Sequence, residues 1–341
     1  MHVVIIGFWN TDAPKKWIID YEGGGDGAAT QASNINPYLI DHRDLVIQTR
    51  SAPLNGAPSI VFGSMPNDGG HLLLDEKEKA DLLAKEPGAA KFIRRLYGSK
   101  EFINGIRRWC LWLGDATPAE LKGLPEVLKR VALVKKHREE SDRETTQELA
   151  GTPSLFGEDR QPGTEYLLIP SASSINREYI PMAFQPPEVI ASNLVLMVPG
   201  ASVYHFGVLT SRMHMGWVRT VCGRLKSDYR YSNRLVYNNF PWPEGVSKAR
   251  RKKVEEKAQA VLDARVAAGS LTYADLYDPL TMPKALLDAH RKLDLSVERC
   301  YRKAAFKSER ERVEFLFDRY EATTNLFAAA AKAKKKRIKK K

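Results

Sequence analysis

At 341 residues the chain is long enough for two domains with separate cores, and its 43% hydrophobic content is that of an ordinary globular protein. No stretch approaches the roughly 20 apolar residues that cross a bilayer, and three scattered cysteines, Cys110, Cys222 and Cys300, argue against a disulfide framework or a zinc site and fit a reducing cytoplasm. Lys and Arg outnumber Asp and Glu by 53 to 41, and a formal charge of +12 favours a polyanionic partner, a nucleic acid rather than a membrane.

The chain opens on a β-branched run, His2 to Phe8, that reads as a buried strand of a larger sheet; its lack of a basic flank sets it apart from a signal peptide. Glu22 to Ala29 is a Gly-rich loop without the Lys-Ser/Thr pair of a phosphate cradle. From Asn36 to Leu113, short apolar segments follow: Leu45 to Thr49, Ile60 to Phe62, Leu72 to Leu74, Phe92 to Tyr97 and Trp109 to Leu113. The turn cluster Met65 to Gly70 interrupts them, as in a mixed sheet with short helices. Thr117-Pro118-Ala119-Glu120 is a capping box with proline in the first turn, and Pro125 restarts the helix. Leu124, Leu128 and Val131 then share one face, and the charged remainder as far as Glu148 reads as solvated.

Extended segments return at Tyr166 to Ile169, Tyr179 to Met182, Val189 to Ile190 and Leu194 to Val198. Val208 to Val221 has helical spacing with Leu209, Met213 and Trp217 on one face. Beyond Pro243 the pattern is helical: a stripe of Val254, Ala258, Val261 and Leu262; a second of Leu286, Leu293 and Val297; and a third, after a capping box at Ser308 to Glu311, of Val313, Leu316, Phe317 and Tyr320. Three such helices predict a small bundle. The last residues, Lys332 to Lys341, read as a solvated, disordered end. The fold class is α+β, a mixed-sheet domain followed by a small all-α domain.

The segment richest in chemistry is Arg224 to Tyr231, RLKSDYRY. If it is extended, Lys226, Asp228 and Arg230 share one side, with Leu225 and the tyrosines on the other. Lysine and arginine donate to guanine O6 and N7 while a carboxylate accepts from cytosine N4, so this ladder suits major-groove reading. From the octapeptide alone, an ordinary half-exposed strand with an internal ion pair is the slightly better fit, and the basic and aromatic residues around it shift the reading toward a nucleic acid. Around it, Arg219, Arg224, Arg234, Tyr229, Tyr231, Tyr237, Asn238 and Asn239 supply phosphate donors and planar rings. Asn36-Pro37-Tyr38-Leu39 is one proline short of the Asn-Pro-Pro-aromatic motif that holds a flipped adenine, and reads as a loop entry. His205, His214 and Cys222 lack triad spacing and read as core residues.

Collinear stretches of the chain resemble the C-terminal portion of MmeI-like restriction-modification DNA adenine methyltransferases. They include Phe62 to Leu74 (FGSMPNDGGHLLL), Arg108 to Leu113 (RWCLWL), Tyr204 to Met215 (YHFGVLTSRMHM), Cys222 to Pro243 and Tyr277 to Pro283 (YDPLTMP). The resemblance implies that residues 1–36 close the methyltransferase domain, 37–243 form the target recognition domain, 244–328 a helical domain, and 329–341 a basic tail. It implies base-reading pairs Lys226 with Asp228, Arg230 with Leu194, and Asn193 with Ser171, and a double-stranded DNA partner. The family's cofactor and Asn-Pro-Pro-aromatic motifs lie upstream of the stretches matched here. Binding of S-adenosylmethionine and methyl transfer to adenine N6 are therefore implied for the parent enzyme, and no cofactor for this chain. A methyltransferase domain, in the same chain or as a separate subunit, is the implied protein partner. Two alternatives stand beside this: a specificity subunit for a separately encoded catalytic subunit, or a non-catalytic basic scaffold.

Overall fold

The computed structural model of the protein describes residues 4–21 and 26–338, and from residue 326 onward the backbone alone. Two compact units result, one of residues up to Thr49 together with those from Phe306 on, the other Arg50–Ala305. The second unit runs through Pro243, where the sequence predicts a domain boundary.

In the first unit, β1 (Lys16–Asp20) and β2 (Ala28–Ala32) form an antiparallel hairpin. Val4, Ile5, Ile6 and Phe8 are exposed and lie outside any strand, so the predicted opening strand is corrected; His2 and Val3 lie outside the described residues. Of the predicted Gly-rich loop, residues 22–25 also lie outside them, and Ala28 and Ala29 already belong to β2. Asn36 is buried, and its amide oxygen accepts the Tyr38 N–H at 2.9 Å, closing the turn that the sequence marks as a loop entry. Leu45 to Thr49 forms no strand.

The C-terminal helix, Glu309–Ile338, starts as predicted: Ser308 Oγ accepts the Glu311 N–H at 3.1 Å. Val313, Leu316, Phe317 and Tyr320 face inward, with the Tyr38 ring edge-on to Phe317 at 5.2 Å. Its backbone stays helical to Ile338, beyond the point where the sequence predicts a disordered tail. The predicted three-helix bundle is accordingly redrawn, because this helix belongs to the first unit.

The second unit holds three sheets. β3 (Val61–Phe62) is at the edge of one and β4 (Leu73–Leu74) of another. The capped helix α1 (Glu76–Lys85) leads to β5 (Ile93–Tyr97), α2 (Ser99–Asn104) and β6 (Trp109–Leu111). The Thr117 capping box forms as predicted and opens α3 (Pro118–Lys122), followed by α4 (Pro125–Glu139) and the short α5 (Glu144–Gln147). Then come β7 (Tyr166–Pro170), β8 (Ala172–Ser173), β9 (Ala183–Gln185), β10 (Ile190–Ala191) and β11 (Val195–Pro199). The predicted strand at Tyr179 to Met182 is instead buried irregular chain, with the strand displaced to β9. Helices α6 (Val203–Leu209) and α7 (Arg212–Val221) split the predicted single helix at Thr210-Ser211. A hairpin of β12 (Gly223–Leu225) and β13 (Asp228–Arg230), a π-turn (Asn233–Tyr237), and helices α8 (Lys248–Ala267), α9 (Tyr273–Leu276) and α10 (Lys284–Tyr301) complete the unit.

The sheet order β10-β5-β6-β4 is antiparallel except at β10, which runs parallel to β5. The order β3-β11-β7-β9 is antiparallel throughout, and the central β7 (YLLIP) is buried along its whole length, which is why it reads as a continuous apolar run. The third sheet, β12-β13-β8, joins the hairpin to the turn after β7.

The inward face of α4 differs from the predicted one. Val127, Val134 and Arg138 are buried while Leu128 is exposed, so part of the charged stretch is core. Arg138 is fully enclosed and spends its guanidinium on five backbone carbonyls, those of Pro66, Asn67, Leu149, Thr152 and Leu155, at 2.7–2.9 Å. A planar fork of donors can meet several carbonyls at once, and the field of the buried Asp68 helps sustain the charge against burial. Arg138 thereby clamps the loop after β3.

Helix α8 packs on α10 and α6 through Val254, Ala258 and Val261, all fully buried. Gly207 lets α6 approach: a Cβ there would sit 3.0 Å from both Ala258 and Val254. The seam below carries buried polar groups. Asp294 on α10 accepts the Tyr179 hydroxyl and the Arg212 N–H, each at 2.7 Å, and Tyr179 stacks on His290 at 4.1 Å. These bonds offset part of the cost of lost solvation, which still raises the Asp294 carboxyl to about 7.

Candidate nucleic-acid interface

The hairpin β12–β13 turns through Lys226 and Ser227, with Leu225 opposite Asp228 and Arg224 opposite Tyr229. Lys226 has φ of 56°, in the left-handed region, so it occupies the turn and leaves the strand alternation. Of the predicted ladder, Asp228 and Arg230 do share an exposed face, and Tyr229 and Tyr231 the buried one. Leu225 is corrected: it is 57% exposed and pairs across to Asp228, on the side opposite the tyrosines.

Several predicted backbone contacts prove to be interior. Tyr229 and Tyr231 are buried, and the Tyr231 hydroxyl meets His214 Nε2. Asn238 is buried and donates to the Arg50 carbonyl at 2.9 Å; Asn239 is buried and donates to the Arg234 carbonyl at 2.9 Å. Tyr237 is buried too, with its hydroxyl on the Pro58 carbonyl. Asn238 and Asn239 directly follow the π-turn, which Asn238 caps. Arg224 and Arg234 are exposed, and the Arg224 guanidinium lies 4.1 Å over the Tyr229 ring. Arg219 is half-buried and donates to the Glu178 carbonyl at 2.9 Å.

Ser171, Leu194, Asp228 and Arg230 line one open concavity of about 390 Å³. Four separate stretches of chain meet there, since Ser99, Lys100 and Asn104 of α2 and Arg177 of the loop after β8 complete it. Asn193 and Lys226 are not among its lining residues.

The Leu194 carbonyl organises the wall. It accepts the hydroxyls of both Ser99 and Ser171 at 2.6 Å. Ser171 is therefore corrected: it is buried, and its hydroxyl proton is committed to the backbone rather than facing outward. The Leu194 side chain is 51% exposed. Behind the turn, Asn193 N–H donates to the Ser64 carbonyl at 2.9 Å, and Ser64 N–H to Ala191 at 2.7 Å. Gly63 permits this approach, because any Cβ there would collide with the carbonyls of Ala191 and Ser192.

Sequence reasoning missed Arg177, Ser99, Lys100 and Asn104, which reach the concavity only through long-range folding. The Ser171-Ala172-Ser173-Ser174 run carried the only local hint, as a polar turn following an apolar strand.

His205, His214 and Cys222 form no triad. His205 accepts the Ser202 N–H in a helix cap, and burial keeps His214 neutral, its pKa pushed down to about 3. The three cysteines are buried and unpaired with one another. Among the described residues no cluster of metal-ligating groups forms, and no helix is long and apolar enough to cross a membrane.

Residues 41–244 match the family model described as "MmeI, target recognition domain", and residues 246–328 that described as "MmeI, C-terminal domain". A curated relative, DNA methyltransferase A of Bacillus subtilis (strain 168), is 42% identical over 323 residues, which is 94% of this chain and 36% of that protein. The solved structure of the Type IIL restriction-modification enzyme MmeI in complex with DNA superposes with a TM-score of 0.86 at 42% identity, over 92% of this chain and 42% of that one. The chain thus spans well under half the length of either relative. It belongs to the MmeI family, whose target recognition domain and C-terminal domain it carries in sequence.

Proposed function

We propose that the chain grips duplex DNA and reads its sequence in the major groove, as the specificity part of a restriction-modification DNA adenine methyltransferase. The observation that carries this reading is the single concavity shared by Asp228 and Arg230 of β13 and Leu194 of the turn before β11, all with exposed side chains. A carboxylate acceptor, a guanidinium donor and an apolar side chain complement the amino donors, the N7 and carbonyl acceptors and the thymine methyl that base edges offer in that groove. The likeness to MmeI, solved with DNA, supports the same partner. The formal charge of +12 supplies the sequence-independent attraction.

In this reading Arg224 and Arg234, both exposed, hold phosphates, and Arg219 supports the groove wall. Lys226 reaches the duplex from the hairpin tip and Asn193 from behind the Leu194 turn. Methyl transfer from S-adenosylmethionine belongs to a methyltransferase domain, in the same protein or a separate subunit. Residues 36–39 do not fit the adenine-holding role, because the Asn36 oxygen is spent on its own turn. The exposed apolar run Val4 to Phe8 is the surface we assign to that domain. A cytoplasmic location follows from the DNA substrate.

The test is selection from a pool of randomised duplexes followed by sequencing of the bound fraction. The wild-type chain is expected to enrich one sequence, with Asp228→Ala and Arg230→Ala each relaxing one position by about 1–3 kcal/mol. Arg234→Ala is expected to weaken all duplexes alike and lower the salt slope by about one unit. Equal binding of random and enriched duplexes by the wild-type chain in low salt would overturn the proposal.

A further inference from the structure

Helix α2 contributes two exposed polar residues one turn apart, Lys100 and Asn104, to the concavity that holds Leu194, Asp228 and Arg230. Lys100 forms no ion pair among the described residues. Its neighbour Glu101 is buried and already engaged, accepting the Gly98 N–H at 3.1 Å and pairing with Arg108 at 3.3 Å. Asn104 donates to the Lys100 carbonyl at 2.9 Å, and its amide carries a second N–H for a ligand.

The helix is fastened where the bases are read. Ser99 Oγ donates to the Leu194 carbonyl at 2.6 Å and accepts the Ala172 N–H at 3.3 Å. Packing is close behind it: a Cβ on Gly98 would meet Ser192 Oγ at 3.2 Å and Leu194 Cδ1 at 3.5 Å. The backbone of Lys100 is thereby set against the Leu194 turn, and a group held by its ammonium is set against the base pair that Leu194 and Arg230 meet.

The chemistry of the wall favours an anion. Among the residues lining the concavity, the cations Lys100, Arg177 and Arg230 outnumber the one carboxylate, Asp228. A lysine ammonium is a compact point charge on a flexible stem, suited to a phosphate rather than to a planar, bidentate partner. We propose that Lys100 and Asn104 hold one backbone phosphate of the duplex and so fix the register at which Leu194 and Arg230 meet their base pair. Both are positioning residues, since phosphate contacts orient the protein without reading sequence. The proposal rests on the DNA-reading function proposed above.

The experiment replaces the phosphates of the preferred duplex, one at a time, by uncharged methylphosphonate linkages. Binding is measured with the wild-type chain, Lys100→Gln, Lys100→Arg and Asn104→Ala, each checked by its melting curve. Lys100→Gln is expected to weaken all duplexes alike, by about tenfold, and to lower the salt slope by about one unit. At one linkage the wild-type chain should lose a similar factor, and there Lys100→Gln should lose nothing further. Asn104→Ala is expected to shrink the loss at that same linkage. Lys100→Arg keeps the charge and is expected to keep the sensitivity, which separates contact from misfolding. Sensitivity of Lys100→Gln at every linkage that matters to the wild-type chain would overturn the proposal. Lost preference at a single base pair would make Lys100 a base reader and overturn it as well. A wild-type chain that enriches no duplex would instead remove the underlying function.

Discussion

The hydroxyl of Tyr231 lies 2.8 Å from Nε2 of His214, inside a core from which both residues expose almost nothing. The pair ties the residue that follows β13 to helix α7, next to the strand whose outer face carries Asp228 and Arg230. Tyr231→Phe is expected to destabilise the chain by about 1–3 kcal/mol in urea unfolding, because His214 loses its partner in the interior. DNA affinity measured well below the melting temperature is expected to stay within about twofold of wild type. A large affinity loss without a stability change would restore Tyr231 to the interface.

Acid is expected to weaken the fold before the ordinary carboxylates titrate. Burial pushes His214 down to about 3 and, with Arg251 adding to it, His205 to about 4; His290 is pushed well down too. Unfolded imidazoles take up protons near 6.5, so between there and the folded values the unfolded state binds more protons and stability falls with falling pH. Asp294 opposes this, since burial raises its carboxyl from 3.8 to about 7 and its contribution is lost as pH rises through that value. Asp294→Asn should therefore make stability climb more steeply from pH 4 to 7. Urea midpoints at four pH values check it, and profiles parallel to wild type would contradict the assignment.

Arg138→Ala should cost at least about 3 kcal/mol, because five interior carbonyls lose their donors together. Arg138→Lys should recover less than half, since an ammonium cannot span the same fan of acceptors. Chemical denaturation of both variants measures this. Through the loop after β3, the Ala variant should also blur discrimination at the position read by Leu194.

Lys226→Gly should raise stability by about 1 kcal/mol, since glycine accepts the positive φ that lysine adopts at a cost. The same change should weaken binding of the preferred duplex if the lysine reaches a base. A melting temperature and an affinity that move in opposite directions would identify Lys226 as kept for contact. If both rise, its contact role is lost.

The alternation in Asp228-Tyr229-Arg230-Tyr231 was legible because a period of two needs only local geometry. Lys226 broke the pattern because Lys226-Ser227 carries no glycine or asparagine to announce a hairpin turn. The helical stripes on α8 and α10 were likewise readable, each fixed by one face against one core. Arg138 was not: an arginine within a charged run looks solvated until the loops at 66–67 and 149–155 fold around it. Arg177 was hidden for a related reason, since its place beside Asp228 depends on chain fifty residues away.

The turn at residue 194 is fastened through its main-chain oxygen, by hydroxyls belonging to Ser99 and Ser171. Such a fastening is blind to which side chain residue 194 carries. Replacement of that leucine can accordingly change what the protein favours without disturbing how it folds, so new preferences are open to single-step mutation at this point.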